Sequence, residues 1–390
     1  MEIFMAKASW KKLLLAFSCI AGFGTAAEDV KLLLPEKIYA VPGVECNIYF
    51  NNIVTVINPA NYVFEVKCEK GRNDLKRWRY TPKADEVGSY KLQLRVISMQ
   101  GIVAKADVEL VVLPADAGAG KEFHMLFVGA SQTNAGHYPN RVAALMKRPG
   151  NPVFKTIGTR SRGKDGAKHE GYGGWRWHVF MTRYGYSGSR KMDGMHPDRP
   201  VGFNSPFIFQ NEKGEYKFDL NKYFAINNNG RIPDAVSFQL GLNDFFLCTD
   251  ENIVEVTAKS MKDMEKLIAE FRKLKPAPEI FIFQHIPGSN QDGFGANYGC
   301  QQSSWQYRKN LDYYNRALAK QAKKLGLHTV PVYINFDTEN NYPVITSPVN
   351  LDNPQLITRQ NNGVHPSIAG YNQMADTLYC AVKAVLANQK

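Results

Sequence analysis

The sequence lacks the common zinc-binding spacings: it contains no Cys-x-x-Cys pair and no His-Glu-x-x-His. Such spacings bring thiolates or imidazoles together around one ion, so a zinc site is without support, and we expect neither a metal nor a cofactor. The 44% of hydrophobic and 12% of aromatic residues are ample for a packed core, and no long segment has a disordered composition. The 390 residues exceed the usual size of one domain, so we expect a globular protein of two domains.

Long hydrophobic runs are also scarce. A short one, Leu13 to Phe23, follows three lysines and precedes Thr25-Ala26-Ala27, which predicts a signal peptide over residues 1–27. The run is shorter than the about 20 residues that a membrane span needs. We therefore expect an exported chain, periplasmic or secreted, without an integral membrane segment. Because those lysines contribute to the formal net charge of +12, the charge does not indicate nucleic acid, and we expect no nucleic-acid partner.

Cysteine is limited to five residues after the predicted signal peptide. The odd number requires at least one free thiol or an intermolecular bond. Cys46 with Cys68, and Cys248 with Cys300, are possible disulfides in an exported protein, and ordinary buried thiols are the alternative for each pair.

Residues 28–115 contain short runs in which apolar and polar residues alternate, such as Tyr62 to Val66 and Tyr90 to Val96. Alternation with period two between turn residues predicts a small all-β sandwich. The segments Trp78 to Pro82 and Gly88 to Tyr90 resemble late strands of bacterial immunoglobulin-like modules. Residues 116–120 are small and are predicted to form a flexible linker.

Strands and helices alternate over residues 121–390. The predicted strands are 123–129, 153–158, 234–241, 279–285 and 328–334. The predicted helices are 135–147, 252–274, 303–325 and 366–387. This alternation indicates an α/β fold, a three-layer α/β/α sandwich with a parallel, flavodoxin-like sheet. The interval 159–231 carries little regular pattern, and so long an insertion usually serves a site.

Four short segments lie at loops beside the predicted sheet edge: Gly129-Ala130-Ser131, Gly173-Gly174-Trp175, Gly241-Leu242-Asn243-Asp244 and Gly363-Val364-His365-Pro366. Each alone is compatible with a helix cap or a tight turn. A serine, a histidine and amide donors at the carboxyl edge of one parallel sheet are also the groups that acyl transfer needs.

In this order the four segments resemble the blocks of the SGNH (GDSL-type) hydrolases, and the resemblance covers about residues 120–387. It implies that Ser131 is the nucleophile and His365 the general base. It also implies an oxyanion hole formed by the backbone N–H groups of Ser131 and Gly174 and by the side-chain amide of Asn243, with Gly173 as the alternative glycine.

The sequence departs from the family pattern at two positions. Ala130 replaces the aspartate of Gly-Asp-Ser, and Asn362 replaces the aspartate three residues before the histidine. We expect the side-chain oxygen of Asn362 to orient His365, which gives Asn362 a catalytic role. A carboxylate from the preceding loop, Asp337, Glu339 or Asp352, is the alternative.

The resemblance implies an exported serine esterase that removes acyl groups, acetyl in particular, from carbohydrate through an acyl-serine intermediate. A non-catalytic glycan-binding protein, and a lipase or thioesterase for longer acyl chains, are the alternatives. Residues 155–199 hold ten Lys or Arg against four acidic residues. This excess indicates either a solvated basic surface or a site that recruits an acidic polysaccharide.

Overall fold

The computed structural model describes residues 30–184, 204–291, 293–294 and 302–389. The predicted signal peptide and Cys300 lie outside these ranges. Among the described residues, no helix combines the length and the apolar character that crossing a membrane requires.

Seven strands form the N-terminal part: β1 (Lys37–Ala40), β2 (Cys46–Tyr49), β3 (Val63–Lys67), β4 (Arg72–Asn73), β5 (Arg77–Tyr80), β6 (Gly88–Ser98) and β7 (Gly101–Val112). They make two sheets, with strand orders β1-β7-β6-β3 and β2-β5-β4. Alternate residues of β6, Leu92, Leu94 and Val96, are fully buried in a core that also holds Trp78 of β5. The region is therefore a two-sheet sandwich, and its immunoglobulin-like character stays a prediction.

The strands that follow are β8 (Glu122–Gly129), β9 (Val153–Ile157), β10 (Arg160–Ser161), β11 (Lys168–Gly171), β12 (Ile208–Gln210), β13 (Tyr216–Phe218), β14 (Ala235–Gln239), β15 (Glu279–Gln284), β16 (His328–Pro331), β17 (Val344–Pro348) and β18 (Leu356–Gln360). The helices are α1 (Ser131–Asn134), α2 (His137–Met146), α3 (Val179–Thr182), α4 (Leu220–Asn227), α5 (Leu242–Phe245), α6 (Ile253–Arg272), α7 (Ser304–Lys324) and α8 (Ile368–Asn388).

The central sheet joins β8, β14, β15 and β16 in parallel, and β9 pairs in parallel with the other edge of β8. Numbered along the chain, the order of these five strands is 2-1-3-4-5, the flavodoxin-like order that the sequence predicts. One face of the sheet packs against α6 and α7, and the other packs against α2 and α8. Buried residues of α7 recur at Tyr307, Leu311, Tyr314 and Leu318, which is the spacing of one helical face.

The interval 159–231 is more regular than predicted, because it contains short elements from β10 to α4. One of them, β11, is a strand of the central sheet and pairs in parallel with the end of β8.

The strand predicted over 328–334 ends at Pro331, and residues Val332–Asn335 form a 3-10 helix. The backbone leaves the extended region at Pro331, where ψ is 63°. The side-chain amide of Asn52 then donates to the carbonyl oxygens of Tyr333 (2.8 Å) and Phe336 (2.7 Å). Tyr333 and Ile334 belong to the sandwich core, so the sandwich and the α/β layers share a packed boundary.

The segment predicted as a flexible linker is fixed against α8. Ala117 is buried, and the buried ammonium group of Lys383 donates to the carbonyl oxygens of Ala115 (2.8 Å) and Ala117. The possible Cys46–Cys68 disulfide is absent, because both residues are free thiols. Burial raises the pKa of Cys46 to about 12, which keeps this thiol protonated and unreactive.

Two buried histidines predict how folding stability depends on pH. Burial lowers the pKa of both His169 and His285 to about 4. An unfolded histidine binds its proton near pH 6.5, so their stabilising contribution is complete above that pH and is lost as pH falls toward 4. As pH falls from 7.5 to 5, the free energy of unfolding of the parent, measured by urea denaturation, should therefore decrease relative to that of His285→Gln. Each histidine contributes on the order of 3 kcal/mol to the full change.

His328→Gln, which removes a half-buried histidine, is the comparison variant and should change the slope less than His285→Gln does. Burial raises the pKa of Asp244 to about 7, which opposes the histidine effect equally in parent and variant. A parental slope in His285→Gln would contradict the assignment.

Candidate active site

Ser131 begins α1 directly beyond the end of β8. At that end, Gly129 pairs with Gly171 of β11 on one side and with Gln239 of β14 on the other. A Cβ atom at position 129 would lie 1.9 Å from the hydroxyl of Thr133, so only glycine fits. Ala130 occupies the N-cap position, and no side chain caps the helix. The hydroxyl of Ser131 is therefore not used for capping, which excludes the structural alternative for this serine.

His365 lies against this serine, with its Nε2 atom 2.7 Å from Ser131 Oγ. Both side chains are partly buried. The histidine precedes α8, which starts at Ile368 with Ser367 as its N-cap, so the predicted helix start at residue 366 is two residues early. The cause is the hydroxyl of Ser367, which accepts the N–H of Gly370 and sets the first turn.

Asn362 supports His365 in a different way from the one predicted. Its Oδ1 atom accepts the backbone N–H groups of Val364 (3.0 Å) and His365 (2.8 Å). Two donors already occupy this oxygen, so the hypothesis that it accepts the imidazole N–H is corrected: Asn362 holds the backbone that carries the ring.

The carboxylates offered as alternatives have other contacts. Asp337 accepts the hydroxyl of Tyr49 and the backbone N–H of Glu339. Glu339 forms an ion pair with Lys76 of the sandwich (2.6 Å). Asp352 is exposed between β17 and β18.

The predicted oxyanion donors follow the two strands that flank β8. The N–H of Trp175 donates to Tyr172 (3.3 Å) and closes a turn in which Gly174 has φ +78°. The N–H of Gly174 takes no part in this hydrogen bond. The Nδ2 group of Asn243 donates to the carbonyl of Trp175 (2.9 Å) and keeps a second hydrogen for another acceptor. This bond joins the Gly174 turn to Asn243. The two segments follow β11 and β14, the strands that pair with the end of β8 just before Ser131.

The sequence-based reasoning missed Glu170, a fully buried carboxylate on β11. It accepts the backbone N–H (2.7 Å) and hydroxyl (2.9 Å) of Thr159 and the hydroxyls of Tyr172 and Tyr223 (2.7 Å each). Burial raises its pKa, and the four donors oppose that rise. Glu170 thus anchors the strand that leads into the Gly174 turn. Its proximity to Gly173-Gly174 was the available sequence signal.

Part of the basic insertion is engaged within the protein. Lys155 pairs with Glu122, Arg160 donates to Asn134, and Arg183 lies over the ring of Trp175. Besides Lys155, the exposed cations in the described part of the insertion are Arg162, Lys164, Lys168 and Arg176, whereas Arg190, Lys191 and Arg199 lie outside the described residues. Within the described ranges, no group of three His, Cys, Asp or Glu side chains is placed to hold a metal ion.

The family model of GDSL-like lipases and acylhydrolases matches residues 126–378. Similar solved structures include a carbohydrate acetylesterase from Sinorhizobium meliloti, with 14% identity over 68% of this chain and 100% of that chain and a TM-score of 0.38. An acetylxylan esterase from Geobacillus stearothermophilus has 16% identity over 68% and 96% of the two chains, with a TM-score of 0.37. The inhibitor-bound aryl esterase of M. smegmatis has 13% identity over 67% and 99%, also with a TM-score of 0.37. No curated protein matches the chain. Because the family model spans well over half of the sequence, the chain belongs to the GDSL-like lipase/acylhydrolase family and is a serine ester hydrolase.

Proposed function

We propose that this protein is an exported esterase that removes short O-acyl groups, acetyl in particular, from carbohydrate, with Ser131 as nucleophile and His365 as general base. The observation that carries the proposal is the 2.7 Å contact between His365 Nε2 and a serine hydroxyl that caps no helix. This is the geometry in which an imidazole can remove the serine proton.

The reaction follows from this geometry. As Nε2 accepts the hydroxyl proton, Ser131 Oγ attacks the ester carbonyl carbon and forms a tetrahedral intermediate. The imidazolium then donates its proton to the leaving alcohol, and an acyl-serine remains. Water, activated by the same imidazole, attacks the acyl-serine and releases the acid.

Three donors are available for the negative oxygen of the intermediate. The N–H of Ser131 lies in the first turn of α1, where an amide has no acceptor within its own helix. The N–H of Gly174 and the second hydrogen of Asn243 Nδ2 complete the set. Each such donor is worth about 3 kcal/mol of transition-state stabilisation.

The positions of two aromatic rings, those of Phe246 and Phe294, support the proposal that the acyl group is short. Phe246 follows Asn243 by three residues, which places both on one side of the helical turn. Phe294 packs its backbone against Gly363, two residues before His365, and its ring centroid lies 6.4 Å from that of Phe246. The two rings thus connect the segment of the oxyanion donor with the segment of the base, and we take them as one wall of a site for a short acyl group.

The carbohydrate part of the proposal rests on the resemblance to SGNH hydrolases, the signal peptide predicted for residues 1–27 and the N-terminal sandwich. Export and the assignment of residues 28–115 to an immunoglobulin-like module belong to the same proposal.

Ser131→Ala tests the proposed nucleophile. The variant should lose at least about a thousandfold in kcat/KM on p-nitrophenyl acetate and should not react with a fluorophosphonate, while its Tm stays parental. The parent should hydrolyse the acetate faster than the octanoate and should deacetylate a peracetylated disaccharide. The exposed Ser161→Ala is the control and should behave as the parent does.

Near-parental activity in Ser131→Ala would remove the assignment of the nucleophile. Faster turnover of the octanoate would favour a lipase or thioesterase. A parent that binds glycans but neither turns over an ester nor reacts with the fluorophosphonate would be a non-catalytic binder.

Substitutions at Asn362 test how the base is held. An aspartate can accept the same two backbone N–H groups, so Asn362→Asp should keep kcat within a few-fold of the parent. Asn362→Leu leaves both groups without an acceptor and should lower kcat by about tenfold or more. Steady-state kinetics and Tm measured together separate this effect from unfolding.

The variants Asp337→Ala, Glu339→Ala and Asp352→Ala are the comparison set, and each should keep near-parental kcat. Collapse of kcat in one of them, with the fold intact, would instead identify a displaced triad carboxylate.

The exposed cations of the insertion support a preference for acidic polysaccharide, which we propose as the polymer class. Electrostatic attraction is screened by salt, so raising NaCl from 20 to 300 mM should increase KM on an acetylated uronate-containing glycan but not on a neutral acetylated one. The double substitution of Lys164 and Lys168 by Gln should weaken this dependence, whereas Lys324→Gln should not. Equal salt dependence on both substrates would rule out the preference.

A further inference from the structure

Two buried glutamines connect β14 with the segment that carries Ser131 and the segment that carries His365. Gln132 directly follows Ser131, and Gln239 is the last residue of β14; each is 1% exposed. The side-chain Nε2 of Gln132 donates to the carbonyl oxygen of Val364 (3.1 Å), which directly precedes His365. The Nε2 of Gln239 donates to Oε1 of Gln132 (2.7 Å).

The carbonyl of Val364 fixes the orientation of both amides. A carbonyl only accepts, so Gln132 must turn its NH₂ group toward Val364 and its oxygen toward Gln239. Gln239 must then present its own NH₂ group, which leaves its Oε1 buried without a partner among the described residues. Burying an acceptor without a donor is unfavourable, so the arrangement is retained at a cost to stability.

The same peptide is held on its other side. Asn362 accepts the N–H groups of Val364 and His365, while Gln132 donates to the carbonyl of Val364. Backbone groups on both sides of the Val364–His365 peptide bond are therefore fixed by buried or partly buried amides. Neither contact involves the imidazole, so both can act throughout proton transfer.

We propose that Gln132 is a positioning residue for the esterase reaction: it ties the backbone of the base to the residue next to the nucleophile and thereby maintains the Oγ to Nε2 distance. The inference rests on the proposed roles of Ser131 and His365. The role is distinct from the oxyanion hole and from substrate binding, so it should affect kcat and not KM.

Gln132→Met is the first test, because methionine has a similar length and volume but cannot form either hydrogen bond. The kcat on p-nitrophenyl acetate should fall by about tenfold or more with KM within about twofold, and the rate of fluorophosphonate labelling should fall by a similar factor. Gln239→Met is the matched control, since it removes the donor to Gln132 but keeps the bond to Val364. For an equal decrease in Tm, kcat should fall less in Gln239→Met than in Gln132→Met.

Gln132→Glu provides a test that does not depend on the methionine variant folding. An ionised carboxylate still accepts from Gln239 but cannot donate to Val364, whereas a protonated one can do both. Burial raises the pKa of a carboxyl group, so the ratio of variant to parental kcat should increase as pH falls from 8 to 6.

The inference is overturned if Gln132→Met keeps kcat within about twofold, or if Gln239→Met loses as much kcat at equal Tm. A pH-independent kcat ratio for Gln132→Glu also overturns it. If Ser131→Ala is inactive in the same assays, these outcomes reject only the role of Gln132; if Ser131→Ala is active, the proposed function itself fails.

Discussion

The active site depends on how closely three strands approach each other at the end of β8. Gly129 lies between Gly171 and Gln239 in register, with the hydroxyl of Thr133 in the space that a side chain would need. Because the strands are parallel and in register, the residues that follow them leave the sheet at the same edge. The sheet itself therefore brings Ser131, the Gly174 turn and Asn243 to the same edge. A larger residue at position 129 would separate the strands and disturb all three together.

The histidine reaches this edge from the far end of the chain, and its segment is held mainly through its backbone. Asn362 occupies the position at which the family pattern has an aspartate, yet it acts as a turn residue whose oxygen accepts two main-chain N–H groups. A short polar side chain favours such a turn whether or not it is charged. The loss of the carboxylate thus leaves the placement of His365 beside Ser131 intact.

The sequence was sufficient to predict the flavodoxin-like sheet and the pairing of Ser131 with His365. It also predicted five strands and four helices of the α/β region with ends within three residues. These features depend on hydrophobic periodicity and on short motifs, both of which are local. It was insufficient for β11, because a glutamate such as Glu170 is usually a surface residue. Its burial depends on compensating hydrogen bonds from Thr159, Tyr172 and Tyr223. The sequence also could not predict the role of Asn362. Whether its side-chain oxygen accepts the imidazole N–H or backbone N–H groups depends on the conformation of the turn.

The same dependence on distant contacts applies to the boundary between the sandwich and the α/β layers. Asn52 of the sandwich fixes the carbonyl of Phe336, and Lys76 pairs with Glu339 in the loop that follows. The amide of Gln360 donates to the carbonyl oxygens of Thr338 (3.2 Å) and Glu339 (2.7 Å) on the other side of that loop. Gln360 directly precedes the turn that carries His365. Hydrogen bonds and one ion pair therefore connect the sandwich, through this loop, to the strand that leads into the His365 segment, so the sandwich helps to hold that segment in place.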